Sequence, residues 1–203
     1  YDLDLPSALF LLSFFVIFGI SYFFMNVMAN VASNRSPDNT IYPILPDAGF
    51  DGIPKIEALW LTDFFDYVLL VFAFVLALTR PAPLLVVIKS VAAMLLTNLL
   101  RITTVAITSF PDPRPGCIKH SGDPFGNAPL HRCGDCMFSG HTILYVISAL
   151  IWFTYAPRGR GWMLGTFLMF CGAFAGGMII VANRAHYTVD VLVAVYCTIG
   201  SFY

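Results

Sequence analysis

Charge is what this chain has least of. Asp, Glu, Lys and Arg make up only 11% of its 203 residues, against ~25% in an average soluble domain. The charges nearly cancel, to a net −1 at pH 7. No basic field for nucleic acid exists, so no nucleic-acid partner is expected. The chain also lacks an internal repeat, a low-complexity tract and a nucleotide-binding glycine loop. It has no initiator methionine, and its last apolar run stops short at Tyr203. It is read as the core of a longer protein with truncated termini. The first apolar run is too long and too polar-flanked for a cleaved signal peptide.

Apolar residues are what it has in excess, at 58%. Apolar runs of ~18 or more residues recur, the length that spans a bilayer as a helix. The expected fold is an all-α integral membrane protein, a six-transmembrane-helix bundle forming one catalytic domain over 1–203. The six helices are expected at about 8–31, 56–79, 84–109, 138–156, 162–182 and 187–203.

Polar groups inside such runs need partners. Asn26 and Asn30 lie one turn apart, so they read as an interhelical hydrogen bond or a substrate contact. Asp63 and Asp66 share a face. A carboxylate at membrane depth costs ~3 kcal/mol, so both should face the bundle interior. Arg101 falls near the same end of the neighbouring antiparallel helix. A structural salt bridge and a phosphate contact are both open for it, the second because a guanidinium donates two parallel hydrogen bonds. Lys89 sits near the start of that helix.

The loops carry the remaining chemistry. Tyr42-Pro43-Ile44-Leu45-Pro46-Asp47 is stiff and extended, because proline fixes φ and removes donors. It is expected to seal one end of the bundle. The loop 110–136 holds Arg114, Lys119 and Arg132 with Cys117, Cys133 and Cys136. One disulfide is expected, Cys117–Cys133 being favoured, although spacing does not fix the connectivity. Zinc is the rival, because Cys133 and Cys136 have ligand spacing with His120 and His131 nearby.

Two clusters stand out. Cys133 to Thr142 packs Asp135, Ser139 and His141 into ten residues ahead of an apolar run. His186 and Asp190 are four apart, so a helix beginning at or before His186 lets them touch. A carboxylate beside an imidazole sets its tautomer and stabilises its cation. That makes His186 an oriented nucleophile able to carry a phosphoryl group. His141 would then be acid for the leaving alcohol and base for the incoming one. Arg101 or Arg184 could balance phosphate charge. Asp135 either holds a turn after Gly134 or serves the site.

Alternating helices put Asp47, Asp63, Arg101, Asp135, His141, Arg184 and His186 at one membrane face, and Arg80, Arg158 and Arg160 at the other. The compact Arg158/Arg160 link reads as cytoplasmic by the positive-inside rule. The cysteine-rich loop agrees, placing the site in an oxidising lumen or outside the cell. No cofactor and no metal is expected. Partners are the bilayer and lipid substrates; oligomeric state, including a homo-oligomer, stays open.

These motifs carry a family resemblance. C-G-D-x-x-x-S-G-H-T at 133–142 and H-Y-T-x-D-V at 186–191 resemble the two signature motifs of the sphingomyelin synthase family, which includes ceramide phosphoethanolamine and inositol phosphorylceramide synthases. Tyr42 to Asp47 resembles the family's proline-rich first motif, with tyrosine at its usual first proline. Arg101-Ile102-Thr103-Thr104 resembles part of the second. The resemblance implies a transferase that moves a phospho-headgroup from a glycerophospholipid to the primary hydroxyl of ceramide, releasing diacylglycerol. His186 is then the nucleophile, Asp190 its partner and His141 the acid/base. Asp135, Arg101, Arg184, Ser139 and Tyr187 are the expected substrate-binding residues, Tyr187 and Asp135 as part of a cage for a cationic headgroup. The setting implied is Golgi, endoplasmic reticulum or plasma membrane, with a lumenal or exoplasmic site. The wider superfamily contains type-2 phosphatidic acid phosphatases. Their pattern departs here at Phe138, a proline there, and at Ile180, an arginine there. A non-catalytic lipid transporter is the remaining alternative.

Overall fold

The computed structural model describes residues 5–38, 41–114, 117, 122–126 and 132–203. Among them there are seven helices and no strand: α1 Leu5–Arg35, α2 Ala48–Gly52, α3 Trp60–Leu78, α4 Pro83–Ile107, α5 Gly140–Tyr155, α6 Arg160–Ala182 and α7 Thr188–Phe202. Four of these, α1, α3, α4 and α6, are long and apolar enough to cross a membrane; α5 and α7 are shorter apolar helices. The chain is a multi-pass membrane protein. Large apolar side chains such as Phe24, Phe72 and Phe167 are exposed on the outer faces, where lipid lies.

The central pillar is α5. Thr142, Ile143 and every residue from Tyr145 to Ile151 are buried. A helix apolar all round belongs inside a bundle, and α5 packs against α3, α4, α6 and α7. Its 16 residues reach only ~24 Å at 1.5 Å per residue, and protein surrounds it on most sides. Gly176 of α6 lets that helix approach closely: a Cβ there would lie 2.5 Å from the Tyr145 ring. By contrast α1 packs on α4 and, among the described residues, on no other helix.

Helix boundaries differ from the sequence expectation where local donors and acceptors decide them. Helix α3 begins at Trp60 rather than 56. Ile56 N–H donates to Ala182 O at 3.0 Å and Ala58 N–H to Asn183 Oδ1 at 2.7 Å, so this run caps the end of α6 instead of starting a helix. Helix α5 begins after Ser139, whose hydroxyl accepts from Thr142 N–H. Helix α7 begins at Thr188, two residues beyond His186. The 42–47 run folds against α7, and Asp47 caps the small additional helix α2. At the opposite end of the bundle the Lys89 ammonium lies over the Phe202 ring, 4.7 Å from its centroid.

Candidate active site

Helices α5 and α7 begin side by side, joined by Ser139 N–H donating to Asp190 O at 3.4 Å. This brings the two histidine motifs to one end of the bundle. His186 Nδ1 lies 3.2 Å from Asp190 Oδ2, and the same oxygen accepts Tyr187 N–H at 3.1 Å. The contact does not depend on a helix running through His186. The aspartate stands in the first turn of α7, where the helix dipole favours its negative charge, and His186 precedes the helix and folds back onto it. Asp190 is fully buried. With Nδ1–H given to the carboxylate, Nε2 keeps its lone pair for chemistry.

His141 stands in the first turn of α5. Its Nε2 lies 3.1 Å from Asp63 Oδ1 and 3.8 Å from Asp66 Oδ2. The two aspartates of α3 thus face the second histidine. Arg101 pairs instead with Asp135, Nη2 to Oδ2 at 2.6 Å, with both side chains largely buried. Gly140 makes room for this pair: a Cβ there would lie 2.8 Å from Arg101 Nη1.

A second carboxylate organises the loop before α5. Asp112 accepts from Arg114 N–H at 2.8 Å, Nε at 3.0 Å and Nη2 at 2.9 Å, and from Gly134 N–H at 2.6 Å. Burial works to lower the Arg114 pKa, but hydrogen bonding and the charge of Asp112 outweigh it and hold the pKa up. Gly134 needs to be glycine. Its φ is +73°, and a Cβ would collide with the Ser36 side chain. A disulfide joins Cys117 to Cys133. Cys136 is free and buried. Burial first, then the nearby charges of Asp112, Asp190 and Asp135, pushes its thiol pKa well up, so it stays protonated. Lys119, His120 and His131 lie outside the described residues.

Loop one locks onto α7. Asp47 Oδ1 accepts from Gly49 and Phe50 N–H at 2.8 and 3.2 Å and from Thr188 Oγ1 at 2.5 Å, while Oδ2 accepts from Thr188 N–H at 2.7 Å. One carboxylate therefore caps the starts of both α2 and α7. Burial works to raise its pKa, but these bonds outweigh it and hold it below the usual carboxylate value.

A cavity of about 270 Å³ is lined by Asp63, Asp66, Arg101, Asp135, His141 and His186, together with Arg114 and Arg132. Tyr22, Tyr67, Leu70 and Met94 extend its wall into the apolar part of the bundle. Of the expected binding residues, Arg101 and Asp135 are brought here and three are not. Arg184, at φ +57°, donates to Phe50 O and Ile53 O at 2.9 and 3.1 Å and lies over the Phe50 ring. Tyr187 is buried, its hydroxyl donating to Pro111 O and accepting from Leu45 N–H. Burial raises that hydroxyl's pKa to about 12. Ser139 is the cap of α5. Asn26 and Asn30 reach the long loop rather than another helix: Asn30 donates to Pro124 O at 2.7 Å, and Asn26 accepts from Arg132.

Two groups of described residues have donor atoms close enough to hold a cation: Asp112, Cys117 and Cys133; and Cys136, His186 and Asp190, within 4.8 Å of one another. In the first the cysteines are already joined as a disulfide. The second coincides with the His186–Asp190 pair.

Sequence reasoning missed Asp63 and Asp66 as partners of His141, Asp112 as the organiser of the loop, and the reach of Asp47 to Thr188. The signal for the first was present, since an aspartate in an apolar helix requires an interior partner. The rotation of α3 about its axis, which chose His141 over Arg101, is not readable from spacing.

Residues 132–203 match the family model for the PAP2 superfamily C-terminal region. Sphingomyelin synthase-related protein 1 of Mus musculus is 27% identical over 93% of this chain and 42% of its own length. The phosphatidylinositol:ceramide inositolphosphotransferase of Trypanosoma cruzi is 25% identical over 98% of this chain and 74% of its own. A phosphatidylethanolamine:ceramide ethanolaminephosphotransferase of Trypanosoma brucei brucei is 26% identical over 98% and 77%. The chain spans less than half the length of sphingomyelin synthase-related protein 1. It resembles the sphingomyelin synthase family and, in its C-terminal third, the PAP2 superfamily.

Proposed function

We propose that this chain is the single catalytic domain of a ceramide phosphotransferase, spanning the membrane six times with α5 and α7 as the two short spans. The observation that carries the reading is one cavity lined by two histidines, each with a carboxylate at 3.1 or 3.2 Å. Nε2 of His186 attacks the phosphorus of a glycerophospholipid, and the bond from phosphorus to the diacylglycerol oxygen breaks. His141 gives its proton to that oxygen, and diacylglycerol leaves. His141 then takes the proton of the ceramide primary hydroxyl, whose oxygen attacks phosphorus and releases His186. Asp190 holds His186 in the attacking tautomer and Asp63 stabilises the His141 cation. No cofactor takes part. Activity removed by a chelator and restored by one metal would sink that point.

The named relatives act on ceramide with inositol and ethanolamine phospholipids, and both donors are carried into the test with choline. The cysteine-rich loop and the short Arg158 link favour a lumenal or exoplasmic site in Golgi, endoplasmic reticulum or plasma membrane. The test supplies fluorescent short-chain ceramide to the detergent-solubilised protein with phosphatidylcholine, phosphatidylethanolamine or phosphatidylinositol, beside His186→Ala. A phosphosphingolipid in one tube, absent with the variant, establishes the reaction and names the donor. Phosphate released from phosphatidic acid with no phosphosphingolipid moves the assignment to the lipid phosphate phosphatases of the same superfamily.

A further inference from the structure

Three arginines line the reaction cavity, and two are committed. Arg101 is paired with Asp135 and Arg114 with Asp112. Arg132 has no ion-pair partner among the described residues. Its Nη2 donates to Asn26 Oδ1 at 2.7 Å, and its Nε, like that of Arg101, is buried without an acceptor. Burial lowers its pKa; Asp135 partly offsets this, and the nearby Arg101 adds to the lowering. A guanidinium stays charged regardless. A partly buried cation with an unsatisfied donor is costly to a fold, yet the chain secures this one. The next residue is bound into the Cys117–Cys133 disulfide, the Arg132 carbonyl accepts from Arg114 Nη2, and the Asn26 amide fixes the guanidinium from the side.

We propose that Arg132 is the principal anchor for the substrate phosphate: the uncommitted guanidinium of the cavity, oriented by Asn26, binds the non-bridging oxygens of the donor's phosphodiester. Arg101, to which the sequence points first, is spent on Asp135 and serves to hold that carboxylate. The anchor rests on the reading that the donor is a phospholipid, but its chemistry, recognition of a tetrahedral phosphate oxyanion, is separable from the choice of acceptor.

The test uses the whole chain in detergent as parent, Arg132→Gln, Arg132→Lys and Asn26→Leu. Alkylation mapping of the Cys117–Cys133 bond serves as the fold control. Sodium tungstate, a tetrahedral oxyanion, is titrated while thermal stabilisation is followed, and KM is measured for donor lipid and for ceramide separately. Arg132→Gln is expected to weaken tungstate and raise the donor KM by about tenfold or more, with the ceramide KM within about twofold. Arg132→Lys should recover part of both, and Asn26→Leu, which keeps the charge, should raise the donor KM less. Tungstate that stabilises Arg132→Gln like the parent, tungstate without effect on the parent, or an unchanged donor KM overturns the anchor. Should Arg132→Gln lose the disulfide, Arg132→Lys and Asn26→Leu decide: no change in donor KM in either overturns it. Arg132-dependent tungstate binding with no transfer to ceramide in any tube leaves the anchor standing and removes the ceramide reading.

Discussion

His141 Nε2 lies 3.1 Å from Asp63 Oδ1, reaching from the first turn of α5 to the first turn of α3. The partner of this histidine therefore comes from a helix nearly 80 positions upstream, and not from its own motif.

Asp63→Asn removes the negative charge that favours the His141 cation while leaving a similar shape. The expected outcome is a fall in kcat of about 10²–10⁴-fold with KM little changed. Asp66, at 3.8 Å, should matter less. Steady-state transfer rates for the two variants side by side check the ranking, and equal losses would remove the distinction.

His186 is expected to carry the phosphoryl group. Acid-labile phosphate from a labelled donor should appear on the parent protein when ceramide is omitted. It should be absent from His186→Ala and formed at least about 10²-fold more slowly with Asp190→Asn. Label on another residue would reassign the nucleophile.

The Cys117–Cys133 disulfide closes a loop with a sequence separation of 16. Chain entropy gives such a loop about 3 kcal/mol of stabilisation. Dithiothreitol or Cys117→Ser should lower the thermal midpoint by several degrees and raise the donor KM through the Arg132 segment. A midpoint unmoved by reductant would contradict this.

Asp47 sets an acid limit. Its folded-state pKa is depressed, so its contribution is present above the unfolded value and is lost as pH falls through the folded one, below about pH 4. Asp47→Asn keeps one acceptor and loses the other, costing roughly 1 kcal/mol as for a lost cap. Midpoints at pH 6 and pH 3 check the sign: the parent should fall more than the variant over that interval.

Much of this site was legible in the chain. Runs of apolar residues announced the long helices, and the His186–Asp190 spacing announced their contact. The reason for that contact was different. Spacing implied two residues on one helical face, whereas His186 precedes α7 and shares a capping carboxylate. The sequence offers Arg184 as a balance for phosphate charge and Tyr187 as part of a headgroup cage. Both are instead spent tying loop one and the 110–111 turn to α7. Which neighbour a polar side chain meets depends on helix rotation and loop closure, and neither is periodic in sequence.

Among the described residues, α4 is the only helix that α1 packs on, yet Tyr22 and Met25 of α1 and Tyr67 and Leu70 of α3 line the same cavity. Among the described residues, no contact joins α1 to α3 along that wall. On the ceramide phosphotransferase reading, acyl chains would complete that wall, and the surrounding membrane would be at once solvent, reagent and part of the reaction vessel.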